Sequence, residues 1–197
     1  MKLSVIGVGY VGIHPVTNFS KLGHEVIGFD ISEKRIASYN SGVDPIGEVG
    51  DDTIKDTTAS FTTNLEDIKG SDIYIIAVPT DIDENFNPDL KPLESASKAV
   101  GSIIGHGEIV VYESTVHPGA TEKYCFPILS KESNKIIGQD FDVVYTPERV
   151  DPGNKINTVQ NTPRVIGGTR IEATEKVAKL YEEYIVKMVR VTDIKTA

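Results

Sequence analysis

Apolar and polar positions along this chain fall into blocks of two kinds. Short, largely apolar runs recur at residues 2–6, 25–29, 72–78, 108–113, 141–145 and 164–168, and 186–191 reads as a final strand. Between them, at about 10–22, 32–39, 92–104, 120–131 and 170–184, apolar residues return every three or four positions. A brief continuous apolar run suits a strand buried on both faces, and the longer period suits a helix with one buried stripe. Residues 60–63 add a short strand, and Asn64 is placed to cap a short helix after it. Ser32 is placed to cap the helix that Ser41-Gly42 stops. Residues 43–58, 80–92 and 148–162 are rich in polar residues, Gly or Pro and read as loops, the first with room for a helical turn. Alternating strands and helices predict an α/β fold: a Rossmann-like, doubly wound, mostly parallel sheet with helices on both faces. No internal repeat or low-complexity tract interrupts it.

The first strand runs into Gly7-Val8-Gly9-Tyr10-Val11-Gly12. This is the G-x-G-x-x-G spacing in its required context, after a strand and before a helix. Gly7 permits the turn, Gly9 lets a pyrophosphate approach the backbone, and Gly12 lets the helix lie close to the strand. The N–H groups and positive dipole end of that helix then face the phosphates. The second strand ends at Asp30, where a carboxylate is expected to hold an adenosine ribose. A glycine turn that merely packs a helix would leave Asp30 a coincidence.

Composition narrows the partners. The 197 residues carry a net charge of −9, with 39% hydrophobic and 25% charged residues. That acidity argues against nucleic acid or an anionic membrane as partner, but not against an anionic cofactor held by backbone dipoles. No apolar run approaches the ~18 residues that span a bilayer. The first strand starts at residue 2, which leaves no room for a signal peptide, so a cytoplasmic location is expected. One cysteine, Cys125, provides neither an internal disulfide nor a multi-cysteine metal site. His24, His106 and His117 are scattered in turns and strand ends, and no metal site is expected.

In open parallel sheets, ligands bind beyond the carboxyl ends of the strands. Four segments fall there: 7–12, Val78-Pro79-Thr80-Asp81, Glu113-Ser114-Thr115-Val116-His117-Pro118-Gly119, and Thr146-Pro147-Glu148-Arg149-Val150-Asp151-Pro152-Gly153. Together they resemble the nucleotide-sugar 6-dehydrogenases of the UDP-glucose/GDP-mannose dehydrogenase family. Pro-Glu-Arg followed by Asp-Pro-Gly-Asn within 147–154, and Pro88-Asp89-Leu90, are most similar to the branch acting on UDP-N-acetylhexosamines. The resemblance covers essentially the whole chain.

It implies oxidation of a sugar C6 alcohol to a carboxylate with two NAD per turnover, through a cysteine thiohemiacetal and then a thioester. The product would be a UDP-sugar acid for surface polysaccharide. It also implies an NAD-binding domain over 1–192, the start of a connecting helix at 193–197 through which the complete enzyme would largely form a homodimer, and a C-terminal sugar-nucleotide domain, absent from this chain, that would hold the UDP-sugar. The family's nucleophile lies in a Gly-Gly-His-Cys segment, with a lysine and an asparagine nearby, and this sequence has none of these. Cys125 sits in Lys123-Tyr124-Cys125-Phe126 and reads as a structural cysteine. The chain alone is expected to be inactive.

The expected cofactor-binding residues are Gly7, Gly9, Tyr10, Val11, Gly12, Asp30, Arg35, Val78, Pro79, Thr80, Ser114 and Thr115. Glu148 resembles the catalytic glutamate that acts with water on the thioester; the bland alternative pairs it with Arg149 or a surface cation. Thr115 resembles the threonine holding that water near the nicotinamide, or caps the next helix. Arg35 resembles a basic residue on the adenosine side, or lies on a solvated helix face. The sequence departs from the pattern at Ile13-His14-Pro15, where the proline falls past the first turn and is expected to cost a helix hydrogen bond and bend the helix. His14 reads as a helix-face residue. Asp81 stands where a proline is usual in that family and adds a carboxylate near the expected cofactor. Two rivals stay open: a hydroxyacid-type NAD dehydrogenase fragment, whose lysine base is also missing, and a stand-alone nucleotide-binding or redox-sensing module.

Overall fold

The structure, a computed structural model, describes residues 1–82, 88–149 and 158–197. Val150 and the Asp-Pro-Gly-Asn stretch singled out in the sequence lie outside the described residues. Eight strands are described: β1 Lys2–Ile6, β2 Glu25–Phe29, β3 Ser60–Thr62, β4 Ile73–Ile76, β5 Ile109–Tyr112, β6 Asp142–Tyr145, β7 Arg164–Gly168 and β8 Met188–Arg190. They form one sheet in the order β3-β2-β1-β4-β5-β6-β7-β8. Pairing is parallel throughout, except that β7 runs antiparallel to β6.

Five helices fall where the pattern placed them, and a sixth lies within the 43–58 loop. They are α1 Ile13–Lys21, α2 Glu33–Asn40, α3 Asp51–Asp56, α4 Lys91–Ile103, α5 Phe126–Ser133 and α6 Ile171–Tyr181. The Ser32 side chain accepts the Arg35 N–H at the start of α2, and Asn64 caps a short 3-10 helix over Leu65–Ile68. Asn134, left-handed at φ 53°, ends α5. A π-type turn over Thr121–Cys125 leads directly into α5.

Alternate residues of each central strand enter opposite cores. Ile73, Ile75, Ile109 and Val111 pack with Val16 and Phe19 of α1 and Val177 of α6. Tyr74, Ile76, Val110 and Tyr112 pack with Leu93 and Val100 of α4 and Leu129 of α5. Both faces are therefore buried, which is why these strands read as continuous apolar runs.

One expectation is corrected. Helix α1 starts at Ile13, after a turn through Gly9–Gly12, so Pro15 falls inside its first turn. The carbonyl its missing N–H would have met, that of Val11, instead accepts from His14 at 3.3 Å. The Ile13 and Val16 N–H groups reach the Gly9 and Gly12 carbonyls, so the proline gives up one bond of that row, close to the helix start, and His14 occupies the carbonyl it leaves.

Candidate functional site

The strand order reverses between β1 and β4, and a crevice opens at that point beyond the carboxyl ends. Gly7, Gly9, Tyr10, Val11, Asp30, Arg35, Ile46, Ala77, Val78 and Pro79 line it. Two glycines build its floor by different means. A Cβ on Gly12 would stand 1.9 Å from the Gly7 carbonyl oxygen, so that position admits glycine alone. A Cβ on Gly9 would meet nothing within 4 Å: the room there belongs to the crevice rather than to the fold. Gly12, the N-cap of α1, brings no side chain to cap it, which suits a phosphate taking that role.

Asp30 is buried at the end of β2 and heavily engaged. Its Oδ1 accepts the Ser32 N–H at 2.9 Å, and its Oδ2 accepts the Val8 N–H at 3.1 Å and an Arg35 N–H at 2.7 Å. Arg35 is thus neither loose on a solvated face nor reaching past Asp30; it rests on the carboxylate expected to hold the ribose. A carboxylate has about four lone-pair sites, so ribose hydroxyls would share Asp30 with these donors. The glycine cradle, the uncapped helix and the acid at the strand end together fit the adenosine and pyrophosphate of a dinucleotide.

The loop between α2 and α3 read only as loop in the sequence, yet it contributes Ile46 to the crevice. Asp44 holds it, accepting the N–H groups of Ile46, Val49 and Gly50 at 3.0, 2.8 and 2.9 Å. Burial would push the Asp44 carboxyl up, but these donors more than reverse that and leave it below its ordinary 3.8. His14 joins α1 to the same loop through Glu48, Nε2 to Oε1 at 2.9 Å. The three donors close to Asp44 are backbone groups, invisible in composition; the Asp-Pro-x-Gly spelling of a turn was the only available signal.

The ends of β4 and β5 are laced together. Ser114 donates to the Val78 carbonyl at 2.6 Å, and Thr80 donates to the Thr115 carbonyl at 2.8 Å. Thr115 is exposed and lines two adjoining hollows. One includes Thr80, Ile82 and Leu90; the other includes His117, Tyr145, Pro147, Glu148, Arg149, Ile194 and Lys195. The helical turn that follows is N-capped by Ala120, so Thr115 is not its cap. The Asp81 carbonyl accepts the Asp89 N–H at 2.7 Å, and Ile82 bridges Pro88, closing the base of that loop.

Glu148 is anchored to the end of β5, its N–H donating to the Glu113 carbonyl at 3.2 Å. Among the described residues, a cation beside its carboxylate is Arg164, the first residue of β7, Nη2 to Oε1 at 3.5 Å. Arg164 is 1% exposed and bonds Glu113 Oε1 at 2.9 Å. Burial disfavours the Arg164 cation, and Glu113 more than restores it. Burial raises the Glu113 carboxyl, and Arg164 opposes that rise. The Tyr181 ring lies 5.9 Å from the guanidinium carbon. Sequence reasoning missed the buried pair of Arg164 and Glu113 and its link to Glu148. Its signal was a charge at the edge of each of two apolar strands, since a charge in such a place requires a partner.

Cys125 belongs to none of these hollows. It is fully buried in the core beneath α4, and burial raises its thiol. Among the described residues, no group of three or more His, Cys, Asp or Glu side chains is arranged to hold a metal, and no helix is long and apolar enough to cross a membrane.

Comparison with known proteins agrees with this geometry. A family model described as the NAD binding domain of the UDP-glucose/GDP-mannose dehydrogenase family matches residues 1–185. Protein CapL of Staphylococcus aureus is 45% identical over 93% of this chain and 43% of its own length. The UDP-N-acetyl-D-glucosamine 6-dehydrogenase of Pseudomonas aeruginosa is 43% identical over 94% of this chain and 44% of its own length. A solved UDP-D-ManNAc dehydrogenase from Pyrococcus horikoshii superposes with a TM-score of 0.92 at 34% identity, over the whole of this chain and 48% of its own. The chain thus spans less than half the length of these relatives.

Proposed function

This chain belongs to the UDP-glucose/GDP-mannose dehydrogenase family, and on that premise we propose that it is the NAD-binding part of a UDP-N-acetylhexosamine 6-dehydrogenase. One observation carries the reading. The glycine cradle with Asp30, and the hollow shared by Thr115 and Glu148, lie along the same row of strand ends. A dinucleotide held at the first would extend toward the second. Gly7, Gly9, Tyr10, Val11 and Gly12 would hold the pyrophosphate, Asp30 and Arg35 the adenosine ribose, and Val78, Pro79, Thr80, Ser114 and Thr115 the nicotinamide side. NAD, when bound, accepts hydride.

The chain's own residues would serve the water step. Thr115 orients a water with its exposed hydroxyl, and Glu148 takes the proton as that water attacks the thioester. The thiol would come from a C-terminal domain, because Cys125 is sealed in the core. On this reading residues 1–192 are the cofactor domain. Residues 193–197 open the connecting helix, with the Asp193 carboxylate accepting the Thr196 N–H at 2.8 Å as an N-cap does. The full-length protein would act in the cytoplasm as a homodimer and supply a UDP-sugar acid to surface polysaccharide. A reading frame that continues past Ala197 into a Gly-Gly-His-Cys segment separates this from a stand-alone nucleotide-binding module.

The test is Glu148→Gln in the full-length enzyme. An amide cannot take the water's proton, and loss of a general base costs ~10²–10⁴ in rate. NAD affinity should persist. A burst of NADH followed by near-arrest is expected, with the covalent adduct visible by intact mass. Wild-type steady-state turnover would overturn the assignment.

A further inference from the structure

We propose that Arg164 is a positioning residue for the water step: its buried guanidinium bridges Glu113 and Glu148 and fixes the Glu148 carboxylate at the rim of the hollow it shares with Thr115. The inference rests on the reading of Glu148 given above.

The fold brings the three groups together in a definite way. Because β7 is antiparallel to β6, its first residue lies at the carboxyl ends of the parallel strands, where ligands bind. The register pairs Val144 with Gly168 and Tyr145 with Gly167. Carried three residues onward, it sets Glu148 opposite Arg164. Glu113, the residue that follows β5, supplies the second carboxylate and also receives the Glu148 N–H through its carbonyl. Glu148 is therefore held twice by the same pair, at its backbone by Glu113 and at its side chain by Arg164.

A planar guanidinium can engage two carboxylates in fixed directions; an ammonium on a flexible stem cannot. In the step concerned, water bonds to the acyl carbon and gives its proton to Glu148. The carbon–sulphur bond then breaks, and its electron pair returns to sulphur. The proton acceptor must stay within hydrogen-bond reach of that water, and a displacement of about 1 Å can cost on the order of 10²-fold.

The experiment compares Glu113→Gln/Arg164→Met, Arg164→Lys and Glu148→Gln in the full-length enzyme. The double variant removes both buried charges at once, so neither is left unpaired. It should bind NAD as wild type does and keep its NADH burst, then stall with the adduct, steady-state turnover falling on the order of 10²-fold. Arg164→Lys should stall less, with turnover between the double variant and wild type. A merely structural role would lower burst, NAD affinity and turnover together, and that result overturns the proposal, as does wild-type turnover in the double variant. Should the double variant not fold, Arg164→Lys decides alone: an intact burst with slowed turnover supports the assignment, and wild-type turnover ends it. If Glu148→Gln itself turns over normally, the catalytic reading fails and Arg164 with it. If Glu148→Gln stalls and the double variant does not, only the Arg164 assignment falls.

Discussion

The glycine turn makes two predictions that must separate. Gly12→Ala puts a methyl 1.9 Å from the Gly7 carbonyl oxygen, where ordinary contact begins near 3.4 Å. The clashing atom is backbone, so α1 must move off β1 by roughly the difference. Overpacking of this kind costs ~1–3 kcal/mol, and the upper end is expected when no side chain can yield. In a domain of this size each kcal/mol shifts Tm by about 2–4 °C, so a fall of roughly 6–12 °C follows. Gly9→Ala meets nothing within 4 Å. Its native state is untouched, while the unfolded chain loses freedom worth ~0.4–1 kcal/mol, so Tm should hold or rise slightly. The added methyl nevertheless occupies the approach of the pyrophosphate, and Gly9→Val occupies more of it. Loss of at least ~100-fold in NAD affinity, about 2.7 kcal/mol, is expected. Thermal melts and calorimetric NAD titrations on the two variants check both halves. A Gly9→Ala protein binding within about threefold of wild type, or a Gly12→Ala protein with an unchanged melt, would refute the reasoning.

Three further outcomes follow from the geometry. NAD should bind more tightly than NADP: a carboxylate and a phosphate charge 4 Å apart repel by roughly 4 kcal/mol at intermediate dielectric. Arg35, resting on Asp30 at 2.7 Å, reduces that margin, and in Asp30→Asn it would be released toward a 2′-phosphate. Paired titrations should show the preference narrowing by about tenfold or more, and equal binding of both cofactors to wild type sinks the idea. Cys125, 0% exposed, should resist a thiol reagent until the chain unfolds, and this chain with NAD and UDP-N-acetylglucosamine should produce no NADH. Rapid native labelling, or turnover abolished by Cys125→Ser, would contradict its structural role. Asp44 is held below 3.8 by the donors it accepts, so its stabilisation is present above that value and is lost as pH falls through its lower folded value. The amide signals of Ile46, Val49 and Gly50 should move together only in that acid range. Asp44→Ala should cost about 1.5–3 kcal/mol and weaken NAD binding through Ile46, and NAD affinity unchanged in this variant would separate the loop from the site.

What the sequence made legible was local. A strand buried on both faces is apolar at every position, so β4 and β5 could be read directly, and the spacing of glycines around a strand and helix specified the crevice floor. Caps are local too, and Ser32 and Asn64 stand where expected. The misses are of two kinds, a shifted helix start and contacts between distant residues. Pro15 looked costly because α1 was read as starting three residues early; the turn through Gly9–Gly12 absorbs the difference. The direction of β7 follows from pairing, since an antiparallel neighbour needs no crossover helix and leaves no periodic mark. Arg164 and Glu113 are 51 residues apart. Each looked like an ordinary charge at a strand edge until the sheet set them side by side.

That pair also shows why stability alone does not explain the site. Moving two charges out of water costs several kcal/mol per ion, and their attraction repays it only with good geometry. A well-packed apolar pair of similar volume is often as stable or more so, whereas removal of one partner typically costs ~3–5 kcal/mol. A core built for stability would have closed this point with aliphatic side chains, as the same strands do at Val111 and Val144. Instead the charged pair stands where three strand ends meet: Glu113 directly follows β5, Glu148 lies three residues beyond the end of β6, and β7 begins at Arg164. Only there can a buried cation reach a carboxylate that lines the open hollow. The reversed strand and the buried ion pair are thus one device: the reversal delivers a cation to the carboxyl-end edge of the parallel strands, and Glu113 makes its burial tolerable.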